Sequence, residues 1–120
     1  MYDHIGFKVK DLDAAVRFYS AALAPLGHVV ATKENTYAGI GPKGEPALWL
    51  YAAKDAKGPG VHIALRAESQ AAVEQFHKKG LEAGGHDNGK PGLRSDYSPN
   101  YYAAFLLDPD GNNVEAVFMQ

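Results

Sequence analysis

The residues best suited to chemistry are two histidines and one glutamate that lie far apart along the chain, His4, His62 and Glu115. Each histidine opens a short stretch of alternating apolar residues, and Glu115 interrupts an otherwise apolar segment near the end of the chain. Two imidazoles and one carboxylate suit a divalent ion such as Fe, Mn, Zn, Ni or Co and leave coordination positions open for a substrate. We therefore predict one divalent metal ion as the cofactor, held by these three side chains.

An internal duplication is the reason to bring the two histidines together. When the sequence is shifted by 58 positions, His4 aligns with His62, and seven of the 25 positions from 4 to 28 are identical. Ordinary composition would give roughly one or two identities by chance. The turn sequence at 41–44 is echoed at 108–111, with Pro second and Gly fourth in each. Two half-chains of one plan place equivalent residues about a pseudo-twofold axis, so both histidines should face one cavity.

The elements that must position these residues repeat in the same way. Residues 4–10 alternate as a strand, and Asp11 is a suitable N-cap for the helical periodicity that follows. The second half repeats this pattern, with Ser69 as the cap. Further strands are predicted at 28–33, 36–41 and 46–52, and at 85–89, 101–107 and 113–118, with loops at 53–60 and 87–100. The prediction is an α+β fold of two βαβββ repeats, about 1–55 and 56–120, forming a single domain over 1–120.

Composition excludes several classes of function. The chain has 120 residues, 46% of them hydrophobic and 22% charged, and a net charge of −2, so it offers no basic face for nucleic acid. It contains no cysteine, which excludes disulfides, thiolate zinc sites and cysteine nucleophiles. The absence of a long apolar segment argues against membrane insertion, and we expect a cytoplasmic protein.

The chain resembles the vicinal oxygen chelate superfamily, which includes glyoxalase I, extradiol ring-cleaving dioxygenases, fosfomycin-resistance enzymes and bleomycin-binding proteins. The resemblance covers essentially the whole chain. It is carried by four stretches, which are Asp3–Leu12, Phe18-Tyr19, His62–Leu65 and Leu107–Ala116. Together these stretches are specific for the superfamily and do not single out one activity.

The resemblance implies that the repeats pair into a curved, cup-shaped mixed sheet around the metal, with the helices on its outer face. Metal positions in the family lie on the first strand of each half and on the last strand, and they map onto His4, His62 and Glu115. Relatives of this length are usually homodimers, and in several of them the two halves of one site come from different chains. Whether the site lies within one chain or across a dimer interface is left open by the sequence.

The resemblance to glyoxalase I is incomplete at one metal position. That enzyme has a fourth protein ligand on the last strand of its first half, where matching the two Pro-x-Gly turns places Leu48 opposite Glu115, with Trp49 adjacent. Neither side chain binds a metal. The ion would keep three protein ligands, which makes the glyoxalase reaction itself less favoured and leaves a lyase, an isomerase or a dioxygenase as alternatives.

Candidate substrate contacts are Trp49 and a group in and after the predicted loop 87–100. Arg94 is suited to holding a carboxylate or phosphonate. Tyr97, Tyr101 and Tyr102 are suited to lining the cup or donating hydrogen bonds, although the same residues also fit a solvated loop at a subunit contact. Trp49 is suited to one wall of the cavity. No residue is assigned a catalytic role.

Two functions remain open. The first is a small divalent-metal-dependent enzyme of the glyoxalase-like type, acting on a small molecule that chelates the metal through adjacent oxygens. The second is a metal-free protein that binds and sequesters a small molecule, as the bleomycin-resistance branch does. All three ligand positions are retained, which favours the enzyme.

Overall fold

The computed structural model describes residues 1–120 and contains the βαβββ unit twice. The first half consists of β1 (Ile5–Val9), α1 (Leu12–Leu23), β2 (His28–Lys33), β3 (Tyr37–Pro42) and β4 (Leu48–Ala52). The second half consists of β5 (His62–Arg66), α2 (Gln70–Glu82), β6 (His86–Leu93), β7 (Tyr101–Leu107) and β8 (Asn113–Met119). A short 3-10 turn over Ala24–Leu26 follows α1. The predicted α+β architecture of two repeats is confirmed.

Both helices begin at the residues that the sequence offers as caps. The Asp11 carboxylate accepts a hydrogen bond from the backbone N–H of Ala14 at 3.1 Å. The Ser69 hydroxyl accepts one from Ala72 at 3.0 Å. Each bond satisfies an N–H group that has no partner inside its helix. Matching caps therefore start matching helices in the two halves.

The eight strands form two four-stranded sheets of identical topology. The strand orders are β1-β4-β3-β2 and β5-β8-β7-β6, with the first pair of each parallel and the remaining pairs antiparallel. The register is also equivalent, because Gly6 lies opposite Trp49 and Ala64 lies opposite Glu115. β1 and β5 are thus equivalent edge strands.

Strand β6 is longer than the sequence indicates. The prediction ended it at residue 89 and assigned 87–100 to a loop, but the strand continues to Leu93 and the loop is confined to 94–100. Its pairing with β7 shifts register twice, around Gly89. An edge strand pairs on one side only and tolerates both Pro91 and the bulges. The Gly- and Pro-rich composition therefore marks an irregular edge strand in this segment.

The two halves share one hydrophobic core because α1 and α2 pack against each other as well as on their own sheets. Phe18 and Phe76, which are equivalent in the duplication, are both fully buried. Gly80 permits close packing of α2, since a Cβ atom there would lie 2.3 Å from Leu106 and 3.2 Å from the Phe18 ring. Neither helix is long and apolar enough to cross a membrane. The candidate ligands lie on the sheet faces turned away from this core.

The turn between β7 and β8 joins the second half to the first. Tyr19 on α1 donates a hydrogen bond to the buried Asp108 carboxylate at 2.6 Å. Asp108 also accepts two bonds from Asn112, whose own side-chain oxygen accepts the N–H groups of Gly60 and Val61 at 2.9 and 3.1 Å. The turn predicted from sequence thus fastens α1, the linker and the final hairpin together.

Candidate functional site

Alternation along β5 and β8 places one set of side chains away from α2. Ile63 and Val114 pack toward the core. Their neighbours His62, Ala64 and Glu115 therefore lie on the opposite face of the sheet. Ala64 is paired directly with Glu115 in the parallel register. This small residue leaves the space above Glu115 open, and His62 stands beside it.

His62 and Glu115 are in direct contact. The His62 Nε2 atom lies 3.3 Å from Glu115 Oε1, and the His62 Nδ1 atom lies 3.0 Å from the carbonyl oxygen of Asn113. A carbonyl oxygen can only accept, so Nδ1 carries the proton. In the neutral ring, Nε2 is then an acceptor that faces an acceptor on Glu115. Two such atoms require either a proton between them, which makes the contact an imidazolium–carboxylate ion pair, or a cation.

Glu115 is a buried carboxylate, only 3% exposed. Its second oxygen, Oε2, accepts a hydrogen bond from the Tyr101 hydroxyl. Burial, followed by this bond to Glu115, raises the pKa of Tyr101 to about 12, so its hydroxyl keeps its proton at neutral pH. Burying a carboxylate costs free energy unless polar partners offset the loss of water. Tyr101 on one side of Glu115 and His62 on the other are these partners. One Glu115 oxygen, Oε1, remains turned toward the imidazole.

Two other predicted contacts, Arg94 and Tyr97, belong to the surroundings of Glu115. Tyr97 packs edge-on against the Tyr101 ring, with centroids 5.1 Å apart. The Arg94 guanidinium lies over the Phe105 ring at 5.3 Å and donates to the backbone carbonyls of Gly92 and Lys90 in β6, the strand that Arg94 follows. Phe105 is the direct cross-strand neighbour of Glu115. A held cation thus lies above the residue beside the carboxylate.

Tyr102 points the other way. It follows Tyr101 on β7, and successive strand residues face opposite sides of a sheet. Its hydroxyl donates to Glu74 on α2 at 2.8 Å, and its ring packs against the core. The structure therefore does not bring this predicted substrate contact to Glu115.

His4 stands apart from the other two predicted ligands within one chain. It precedes β1, its side chain is 58% exposed, and its Nδ1 atom lies 2.7 Å from the carboxylate of Asp3. No three residues among His, Cys, Asp and Glu are placed in one chain so that they could hold a metal ion. A single chain brings together two of the three predicted ligands, and the third lies on the equivalent face of the other sheet.

Trp49, and not Leu48, occupies the position equivalent to Glu115. Trp49 pairs with Gly6 as Glu115 pairs with Ala64, while Leu48 is buried in the core. The expectation from the turns is wrong by one residue, because the hairpin after β3 carries a different number of residues between turn and strand. An indole is not a metal ligand, so the residue at this position differs in kind from Glu115.

Two groups that support the candidate site were not predicted from the sequence. The Asn113 carbonyl orients the His62 ring, and Phe105 supports Arg94. Phe105 carried a usable signal, because it lies four residues after Tyr101 on β7 and strand alternation places both on the Glu115 face. A backbone carbonyl carries no such signal, since every residue has one.

Comparisons with known proteins agree with this architecture. The sequence model of the Glyoxalase/Bleomycin resistance protein/Dioxygenase superfamily matches residues 2–116. A glyoxalase/bleomycin resistance protein from Albidiferax ferrireducens is 25% identical, with a TM-score of 0.81 over 100% of this chain and 99% of that one. A comparison with curated proteins finds no match.

More distant structures share the fold. A glyoxalase/bleomycin resistance protein/dioxygenase family enzyme from Burkholderia phytofirmans is 16% identical, with a TM-score of 0.76 over 98% of both chains. A glyoxalase-related enzyme from Fulvimarina pelagi is 17% identical, with a TM-score of 0.75 over 98% of this chain and 87% of that one. With the family match over nearly the whole sequence, the chain belongs to the glyoxalase/bleomycin resistance protein/dioxygenase superfamily.

Proposed function

We propose that the protein is a small divalent-metal-dependent enzyme of the vicinal oxygen chelate type whose site is completed by a second copy of the chain. In this proposal His62 and Glu115 of one subunit hold the ion together with the partner's His4. The observation that carries it is the 3.3 Å contact between His62 Nε2 and the buried Glu115 Oε1, because in the neutral ring both atoms are acceptors.

The separation of His4 from the other ligands supports a shared site. β1 and β5 are edge strands whose outer backbone groups have no partner within the sheet. His62 opens β5 and His4 immediately precedes β1. Two-fold symmetric pairing of β1 of one copy with β5 of the other would place His4 of each chain beside His62 and Glu115 of its partner. This contact would occur twice per homodimer.

The surrounding residues fit binding of a small anionic substrate. A divalent ion at this site would supply Lewis acidity toward two adjacent substrate oxygens. Tyr101 holds Oε2 of Glu115, which leaves Oε1, beside His62, as the single ligand atom of this carboxylate. Arg94 supplies a fixed positive charge on the same face, suited to a carboxylate or phosphonate. The open space above Ala64 gives the substrate access.

Metal content tests this proposal directly. Protein purified without a histidine tag should retain about one divalent ion per chain by elemental analysis. His4→Ala, His62→Ala and Glu115→Gln should each lose most of it, because a site with two ligands binds weakly. His86→Ala is the matched control, since His86 is exposed and makes no side-chain hydrogen bond.

The alternative is a metal-free protein that binds and sequesters a small molecule. The exposed position of His4, outside any three-residue ligand cluster in one chain, is the observation that favours it. Wild-type protein that holds no ion, even when refolded with Mn²⁺, Zn²⁺, Fe²⁺, Ni²⁺ or Co²⁺, would establish this alternative in place of the enzyme.

A further inference from the structure

The indole of Trp49 packs over Gly39 of the same sheet. A Cβ atom added to Gly39, its cross-strand partner on β3, would lie 2.7 to 3.0 Å from three atoms of the ring. Any side chain larger than hydrogen at position 39 would therefore lift the indole away from the strand. The backbone at Gly39 has no positive φ, so space alone explains the glycine.

Two further aromatic rings extend this surface. Tyr37 lies beside Trp49 with centroids 6.3 Å apart, and Tyr51 covers Gly6, where an added Cβ would lie 3.0 Å from the Tyr51 ring. The three rings line an open cavity of about 460 Å³, whose other walls are Asp3, His4 and Pro46. Gly39 and Gly6 lie beneath the rings, and the Tyr37 ring is tilted by 44° from the Trp49 ring, so this face of the first sheet is an aromatic wall whose rings face the cavity at different angles.

The pseudo-symmetry shows where this surface lies relative to the candidate ligands. Trp49 occupies in the first sheet the position that Glu115 occupies in the second. The first half therefore presents ring faces where the second presents a carboxylate, and His4 stands at the margin of the rings. In the shared site proposed above, the ring surface and the His62–Glu115 pair face the same substrate.

We propose that Trp49, Tyr37 and Tyr51 form a stacking platform for a flat aromatic or conjugated group of the substrate. The proposal rests on the proposed function only for its link to the metal, since the platform itself lies within one chain. Ring faces favour offset or edge contacts with other flat π-systems, whereas a saturated ring cannot approach as closely. The substrate class is thus a small molecule with adjacent oxygens on one side and a planar unsaturated group on the other.

Mandelate and hexahydromandelate test the platform as matched probes. Both carry the same hydroxyl and carboxylate oxygens, and they differ in having a flat or a saturated ring. Trp49 is the only tryptophan in the chain, so its fluorescence reports contact directly. We expect mandelate to bind about fivefold more tightly than hexahydromandelate by calorimetry, and to change the Trp49 emission, both with and without added Mn²⁺.

Two variants and a control separate stacking from general damage. Gly39→Ala and Trp49→Leu should each reduce the preference for mandelate to less than about twofold, while Mn²⁺ binding, measured by electron paramagnetic resonance on the same samples, stays unchanged. Gly60→Ala is the control, because an added Cβ there meets no atom within 4 Å.

Equal binding of the two probes, binding of neither, or full preference in both variants would overturn the platform. Binding of neither probe by a dimer in which Trp49 is shielded from acrylamide would assign the aromatic surface to the subunit contact. Failure of Mn²⁺ to bind the wild-type protein would instead contradict the metal site and leave the preference for mandelate intact.

Discussion

At the scale of single residues, the central feature is a buried carboxylate with two different neighbours. Tyr101 donates to one oxygen of Glu115, while the Nε2 atom of His62 lies 3.3 Å from the other. The tyrosine therefore stabilises Glu115 whether or not a cation is present, whereas the imidazole contact needs a proton or a cation. The two contacts can be separated by experiment.

Removal of the Tyr101 hydroxyl tests the first contact. In metal-free protein, Tyr101→Phe leaves one oxygen of a buried carboxylate without a donor, and the free energy of unfolding should fall by about 1–3 kcal/mol. Urea denaturation in the presence of EDTA measures this loss. Tyr97→Phe keeps the edge-on ring packing and should change stability by less than about 0.5 kcal/mol. Equal stability of Tyr101→Phe and wild type would show that the hydroxyl does not support Glu115.

At the scale of elements, much of the architecture could be predicted from the duplication. The caps at Asp11 and Ser69 and the turn at 108–111 are local features, and local features are readable from sequence. The extent of β6 was not, because composition alone does not distinguish an irregular edge strand from a loop. The one-residue error that placed Leu48 opposite Glu115 arose because turns were matched where only strand register decides the pairing.

His28, at the start of β2, provides a test of element packing. Its Nδ1 atom is buried without a hydrogen-bond partner, and burial lowers the pKa of His28 below its ordinary value of 6.5. Between these two pKa values the unfolded chain binds the proton more readily than the folded chain. The contribution of neutral His28 to stability is therefore full above about pH 6.5 and is lost as the pH falls toward the lower value.

Replacement of His28 by methionine should reduce the loss of stability on acidification. Urea unfolding of wild type and His28→Met at pH 7.5, 6.5 and 5.5 measures the difference. His86→Met is the matched control, because His86 is the exposed equivalent of His28 in the second half, and it should keep the wild-type dependence. The same pH dependence in all three proteins would show that His28 accepts a proton without cost in the folded state.

At the scale of the whole molecule, the halves meet through their helices and the faces that carry the candidate ligands belong to separate sheets. The sequence identified His4 and His62 as equivalent but not how the halves meet, because that depends on contacts such as Gly80 against Phe18, which no repeat reveals. The unpaired edges of β1 and β5 are the surfaces through which the proposed homodimer would bring His4 of one chain to His62 and Glu115 of the other.

Mixing two defective variants tests the shared site most directly. His4→Ala and His62→Ala homodimers each lack a complete ligand set, but a mixed dimer contains one intact site built from His4 of one chain and His62 and Glu115 of the other. After the two variants are unfolded together and refolded, we expect up to one Mn²⁺ ion to bind per mixed dimer. Mn²⁺ binding that stays as weak in the mixture as in either variant alone would contradict the shared site.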